Sequence, residues 1–384
     1  MQVAGLEVVV AGGGIAGLAA AAALAQAGAR VVLHERAEAI AEVGAGIQIA
    51  PNGAAVLAAL GCQAGMAARA LKAEGVRLHD YRGGTALVSL DLARQRHANP
   101  HPWLFFHRAD LIALLAETAE AAGVEIRLAA PLDLAEEPLL EADLVIGAEG
   151  IRSGLRARLN GAEEPFFTGQ VAWRALVPLD PFEAPPPLAR VWMGPRRHLV
   201  AYPLRAGRVM NVVAAEERHA WVAEGWSHRD DPETLRETFD DFAPEVRSLL
   251  ARAQSVHVWG LFRHRVAPRW HDGARATILG DAAHPTLPFL AQGANMGLED
   301  AWVLRRSLER APDLPAALAA FQAARAGRVA RIVAAAEQNA RLYHLAAPVA
   351  RGLAQVALRL GGALAPGALL GRYDWVHGHD VTRD

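Results

Sequence analysis

The sequence predicts an α/β protein. A doubly wound, largely parallel-sheet domain is interrupted by an antiparallel sheet and closed by a helical tail. Three observations carry this. Near the N-terminus an apolar run passes through clustered glycines into an alanine-rich stretch. Between positions 168 and 262 apolar and polar residues alternate in short segments. At Thr277–Leu279 the buried-strand pattern returns, followed by a long helical region.

The elements follow in order. Leu6–Ala11 reads as a buried parallel strand, Ile15–Gln26 as a helix closed by Gly28, and Val31–His34 as a second strand. This unit opens a Rossmann-like dinucleotide-binding domain. A helix follows Asn52, and Gly75–Leu90 forms two strands about a Gly83–Gly84 turn. Asp110 is expected to cap a helix running to Gly123. Val124–Leu128 and Leu144–Ala148 resume the parallel pattern. Val171–Val177, Arg190–Met193, His198–Tyr202 and Val209–Ala214 form the inserted sheet, interrupted by Pro185–Pro187. Pro348 and Pro366 are expected to break the tail. The expected domains are therefore discontinuous: 1–75, 104–167 and 263–330 bind the dinucleotide, 76–103 and 168–262 receive the substrate, and 331–384 form a C-terminal helical segment.

Composition narrows the functional classes. A chain of 384 residues exceeds one ordinary core, and 52% hydrophobic with 21% charged residues is a globular balance. With 39 basic and 41 acidic side chains the overall field is weak, which argues against a nucleic-acid binder. Cys62 is the only cysteine, so no disulfide forms within the chain and no multi-cysteine metal site exists. The opening MQVAGLEVVV lacks the pattern of a secretory leader, and the apolar stretch Ile15–Ala27 is short for a membrane span. The expectations are a cytoplasmic protein without metal, membrane span or nucleic-acid partner, acting as a monomer or homodimer.

Two motifs carry chemistry. In Gly12-Gly13-Gly14-Ile15-Ala16-Gly17 the first glycine permits the turn, Gly14 lets a pyrophosphate approach the backbone, and Gly17 lets helix and strand pack closely. Glu35 ends the second strand 18 residues after Gly17, where an acid that binds an unphosphorylated ribose belongs. The second motif is Gly280-Asp281-Ala282-Ala283-His284-Pro285, continued by Pro288 and Gln292-Gly293-Ala294-Asn295. It reads either as a polyol-binding aspartate with a helix start beside a developing anion, or as a proline-rich loop with a helix cap.

GDAAHPTLPFLAQGANMGLEDA resembles the second flavin-binding motif of the single-component FAD-dependent aromatic hydroxylases. GGGIAGL, GAGIQIAPN at Gly44–Asn52, HRADL at His107–Leu111 and the terminal RYDWVHGHD match in the same order. The similarity spans nearly the whole chain. It is closest to the branch containing salicylate hydroxylase, 3-hydroxybenzoate 6-hydroxylase and 6-hydroxynicotinate 3-monooxygenase. By this resemblance FAD is held without a covalent link. Glu35 and Arg36 contact its adenosine, Arg108 its phosphates and Asp281 its ribityl–pyrophosphate region, while Pro288, Gly293, Ala294 and Asn295 lie beside the isoalloxazine. Arg108 has a structural alternative, pairing with an acid near the Asp110 helix start. One departure stands out: the family usually carries Asp-Gly where this chain has Glu149-Gly150, followed by Arg152, Ser153 and Arg156. The added methylene moves the carboxylate by about an ångström and bears on nicotinamide binding.

The implied activity is a monooxygenation. NADH or NADPH reduces FAD, O₂ adds to give a flavin hydroperoxide, and a small phenolic or hydroxylated heteroaromatic acid is hydroxylated. The alternatives are a related flavoprotein that oxygenates a non-aromatic or heterocyclic metabolite, and a flavin-binding protein without turnover. Within the inserted sheet, His198 and Tyr202 lie four apart on one expected strand and so share a face. The pair is expected to bracket the substrate ring, histidine titrating near neutral pH as proton relay and tyrosine positioning the phenolate. This His-x-x-x-Tyr spacing resembles the active-site strand of the hydroxybenzoate and hydroxynicotinate enzymes; the alternative is a pair that merely faces the domain core. Gln48 is expected near the same pocket. Arg174 is either a carboxylate-binding arginine or an ordinary surface-strand residue.

Overall fold

The computed structural model describes residues 1–40, 45–95, 99–135, 141–219 and 228–383. Gly44, first residue of the GAGIQIAPN motif, lies outside them.

The valine-rich segment Glu7–Ala11 is the centre of a five-stranded parallel sheet. Its spatial order is 276–278, 144–147, 7–11, 30–34 and 125–127. The helix Ile15–Gln26 packs beside it, and its seven alanines leave the helix thin enough for helices Arg108–Ala121 and Gly293–Arg310 to approach closely. The glycine turn explains itself sterically. A Cβ on Gly12 would come within 2.3 Å of the Ala148 carbonyl oxygen, and one on Gly17 within 2.0 Å of the Gly12 oxygen.

The alternating segments form an eight-stranded sheet in the order 229–230, 256–263, 166–178, 209–217, 197–204, 188–194, 75–80 and 88–91. The hairpin 75–91 extends this sheet by parallel pairing of 75–80 with 188–194. The outer face of the sheet carries Val171, Trp173 and Leu199, which bury Leu235, Phe239, Phe242, Val246 and Leu250 from two short helices. The inner face carries Ala172, Ala215, Trp259 and Leu261 and packs on Leu287 and Phe289 of the loop after the last parallel strand. A small sheet of 46–49, 104–107 and 71–72 lies between the two large ones.

One expected helix start is corrected. The helix expected from Asp110 begins at Arg108 with His107 as its N-cap, because Asp110 instead accepts two hydrogen bonds from Arg205 at 2.9 and 3.0 Å. In the tail, Pro348 and Pro366 divide the helical region as expected, each opening a new helix (348–364 and 366–371) after Leu314–Tyr343, since proline at the first position forfeits no hydrogen bond. The Leu314–Tyr343 helix runs unbroken through the expected boundary at 330/331.

Candidate active site

The glycine turn fits a dinucleotide. Gly14 precedes the Ile15–Gln26 helix, which has no side-chain cap and no acid in its first turn, and a Cβ built on Gly14 meets nothing within 4 Å. The uncapped N–H groups thus face open space suited to a phosphate. Glu35 lies over the turn, accepting from the Gly13 N–H at 2.6 Å and the Ala37 N–H at 2.9 Å. Ile15 is buried, and Arg36 is exposed just beyond the second strand.

Ala16 joins the two motifs: Cβ atoms on Gly280 and Gly297 would come within 2.7 and 2.9 Å of its methyl. Asp281 is exposed on the turn 280–282 and Pro288 on the turn 288–290. The Gly293–Arg310 helix likewise begins without a side-chain cap or an early acid. The Met296 N–H is already bonded to the Gln292 oxygen, so the N–H groups of Gly293, Ala294 and Asn295 occupy the turn before it. The Asn295 side chain itself is committed to the protein. It accepts from the Ala50 N–H at 2.9 Å and donates to the Gln48 oxygen at 3.2 Å and the Ala291 oxygen at 2.7 Å. Gln48, half-buried on the strand Gly46–Ile49, is thereby tied to the second motif. Arg108 begins its helix with its N–H on the Ala45 oxygen at 2.8 Å, next to the same strand.

A buried ionic cluster braces the loop from behind. Asp300 accepts from the Gly280 N–H at 3.0 Å, from His284 at 2.5 Å and from Arg325 at 2.8 Å; Glu299 pairs with Arg325 at 2.6 Å and Arg328 at 2.7 Å. Burial pushes both carboxyls up, but Arg325 with Arg328 on Glu299, and His284 with Arg325 on Asp300, outweigh it and hold each at about 2. Arg156 clamps the same loop through the Ala282 and Ala283 oxygens at 3.1 and 3.2 Å. Glu149 folds back onto the segment it precedes, accepting from the Ser153 hydroxyl at 2.5 Å and the Leu155 N–H at 3.4 Å. Burial pushes its carboxyl above the ordinary range.

The inner face of the eight-stranded sheet meets this loop. His198 is buried beneath Phe289, ring centroids 5.1 Å apart. Tyr202 is buried at the other end of the same strand, its ring 4.8 Å from Phe105 and its hydroxyl against Gly46, where a Cβ would fall 2.7 Å away. Two of the expectations for these residues change. Burial first, and the neighbouring His344 imidazole second, hold His198 well below neutral titration, so it stays uncharged. Arg174 is not a surface residue: it is buried, with its guanidinium carbon 4.3 Å from the Trp259 centroid. Burial raises the Tyr202 hydroxyl, which stays protonated although Arg174 pulls it down.

Sequence reasoning missed three neighbours. Asn211 pairs with Tyr202 across adjacent strands, gives its Oδ1 to the Gly46 N–H at 2.7 Å, and leaves its buried Nδ2 without a hydrogen-bond partner among the described residues. His344 and Glu217 extend from His198. No local pattern marks any of them, because strand register and long-range packing place them. Among the described residues no cluster of side chains could hold a metal, and no helix is long and apolar enough to cross a membrane.

The FAD binding domain family matches residues 5–336. The chain is 35% identical over 357 residues to 3-amino-4-hydroxybenzoate 2-monooxygenase PtnB3 of Streptomyces platensis, covering 88% of this chain and 89% of that protein. It is 34% identical to 3-hydroxybenzoate 6-hydroxylase of Polaromonas naphthalenivorans strain CJ2, covering 98% and 97%. Among solved structures, Klebsiella pneumoniae HpxO complexed with FAD and uric acid superposes with a TM-score of 0.81 at 26% identity, covering 96% and 97%.

Proposed function

The chain belongs to the FAD binding domain family and is an FAD-dependent aromatic hydroxylase, and from that premise we propose that its substrate is a small phenolic or hydroxylated heteroaromatic acid. One observation carries the substrate class. The inner sheet face carries a buried arginine stacked on Trp259, a protonated tyrosine and a buried amide donor beside Gly46, and an uncharged histidine against Phe289.

The residues divide the work. Gly12, Gly14, Ile15, Ala16 and Gly17 with Glu35, Arg36, Arg108 and Asp281 hold the adenine half and phosphates of FAD; Pro288 and the N–H groups of Gly293, Ala294 and Asn295 flank its ring. FAD, once reduced by NADH or NADPH, supplies the activated oxygen. Arg174 pairs with the substrate carboxylate. Tyr202 and Asn211 donate to its ring hydroxyl, and Gln48 borders the pocket. His198, uncharged, accepts the phenolic proton and so enriches the ring for electrophilic attack. Phe289, Trp259 and Leu287 exclude water. Relatives named for hydroxybenzoates support the aromatic reading. The uric acid bound by the Klebsiella structure favours, as a second reading, a nitrogen heterocycle with an ionisable hydroxyl. Cytoplasmic residence is supported by the single, buried Cys62. Of monomer and homodimer, the exposed stripe Val349, Leu353, Val356, Leu360 and Leu364 on one helix favours the homodimer.

The deciding experiment combines the flavin spectrum of purified protein with a screen of hydroxybenzoates and hydroxypyridine carboxylates against NADH and NADPH oxidation, with product quantified. Stoichiometric hydroxylated product supports the reading. Protein that is colourless and cannot be reconstituted with FAD overturns it.

A further inference from the structure

Behind the ring face of His198 the structure contains a chain of acceptors that leads outward. His198 Nδ1 lies 2.6 Å from His344 Nε2, and His344 Nδ1 lies 3.1 Å from Glu217 Oε1. Glu217 is exposed, whereas both imidazoles are buried. The backbone holds the three in place. The Arg196 N–H donates to the His344 oxygen at 3.1 Å, and the Glu217 N–H donates to the Arg196 oxygen at 2.9 Å.

A carboxylate only accepts, so His344 Nδ1 carries the hydrogen of that bond and its Nε2 carries a lone pair. That lone pair in turn requires the hydrogen of His198 to sit on Nδ1. His198 Nε2 is left as an open acceptor, and no hydrogen bond to it exists among the described residues. The surface carboxylate thus fixes the tautomer of a histidine two links away.

We propose that His198, His344 and Glu217 form a proton exit that carries the substrate's phenolic proton to the surface, an inference resting on the reading of His198 as the proton acceptor. The substrate O–H breaks as the His198 Nε2–H forms. His198 Nδ1–H passes its proton to His344 Nε2, and His344 Nδ1–H passes its own to Glu217, which delivers it to water. Both imidazoles begin and end neutral; only their tautomers change, and no electron is transferred.

Neutrality is what the surroundings demand. Burial depresses both histidines, and a proton resting on His198 would be an unpaired charge beneath Phe289 and Tyr343. Among the described residues, Glu217 is the anion that favours the charged form of His344. Tyr343 faces His198 at 5.3 Å but is pushed to about 12 by burial and by Tyr373, with Arg372 pulling the other way, so it takes no proton. Arg218, beside Glu217, is paired with Glu216 at 2.8 Å.

The test uses the FAD-loaded full chain with 3-hydroxybenzoate as probe. Stopped-flow absorbance follows phenolate formation on binding, across pH 5–9, without nicotinamide. Glu217→Gln keeps an acceptor for His344 but cannot be protonated, so a merely structural role predicts no change. The proposal expects Glu217→Gln and His344→Gln to retain FAD and bind the probe, yet form phenolate about a hundredfold more slowly. Glu217→Asp should restore most of the rate, and a small diffusible base such as imidazole part of it. Wild-type rates and pH profiles in both Gln variants, with His198→Ala impaired, overturn the exit while leaving His198 as acceptor. Wild-type behaviour in His198→Ala as well, or a wild type that binds the probe without ionising it, overturns both.

Discussion

The guanidinium carbon of Arg174 lies 4.3 Å from the centroid of the Trp259 ring. A planar cation stacked on an aromatic face is oriented without losing its edge donors, which suits it to a carboxylate. Arg174→Lys is therefore expected to keep FAD and raise KM for the aromatic acid about tenfold, ~1.4 kcal/mol. Steady-state kinetics on a carboxylated phenol and its uncharged amide should show the loss only on the acid. An equal loss on both would make Arg174 a packing residue.

Gly14 and Gly17 are expected to separate cofactor binding from folding. A Cβ on Gly14 meets open space, so Gly14→Val should fold normally but lose flavin to the crowded phosphate path. A Cβ on Gly17 strikes the Gly12 oxygen, so even Gly17→Ala should reduce soluble yield. The ratio of flavin to protein absorbance, with circular dichroism, checks both. Yellow Gly14→Val protein would show that the phosphates take another route.

Glu149→Asp retracts the carboxylate by about an ångström and loosens its bonds to Ser153 and Leu155. The expected outcome is a change in apparent nicotinamide affinity, with KM for the aromatic substrate within about twofold of wild type. Varying each substrate in turn decides. A change confined to the aromatic substrate would contradict this placement.

Asp300→Asn leaves Arg325 without a full counter-charge in a buried site, and a loss of about 3–5 kcal/mol is expected. The folded-state carboxyl titrates at about 2, below its ordinary 3.8. Its contribution is thus complete above the unfolded value and lost as pH falls toward 2. Urea unfolding at pH 7 and pH 3 should show the gap between variant and wild type shrinking at the lower pH. A constant gap would rule out an ionic origin.

The parallel strands and both glycine-rich turns were legible because their signals are local: apolar runs, a glycine spacing, an acid ending the second strand. The shared face of His198 and Tyr202 followed from strand periodicity. Their electrostatics did not, because His198 owes its low proton affinity to burial and to His344, 146 residues away. Arg174 looked as much like a surface residue as a buried one until pairing with Val213 and His257 put it inside the sheet. Asp110 misled because a helix-capping residue type also serves as an ion-pair partner, and Arg205 lies far away in sequence.

The meeting of Ala16 with Gly280 and Gly297 has a consequence for biosynthesis. The first glycine turn leaves the ribosome early, but the wall against which its helix closes is made near the end. Until the strand 276–278 joins the parallel sheet, the N-terminal unit exposes an unpaired edge beside 144–147. High contact order of this kind slows folding and leaves such an edge open to aggregation. Flavin capture is consequently a late event, and a nascent chain that stops short of the Gly293–Arg310 helix has half a binding site and none of its closure.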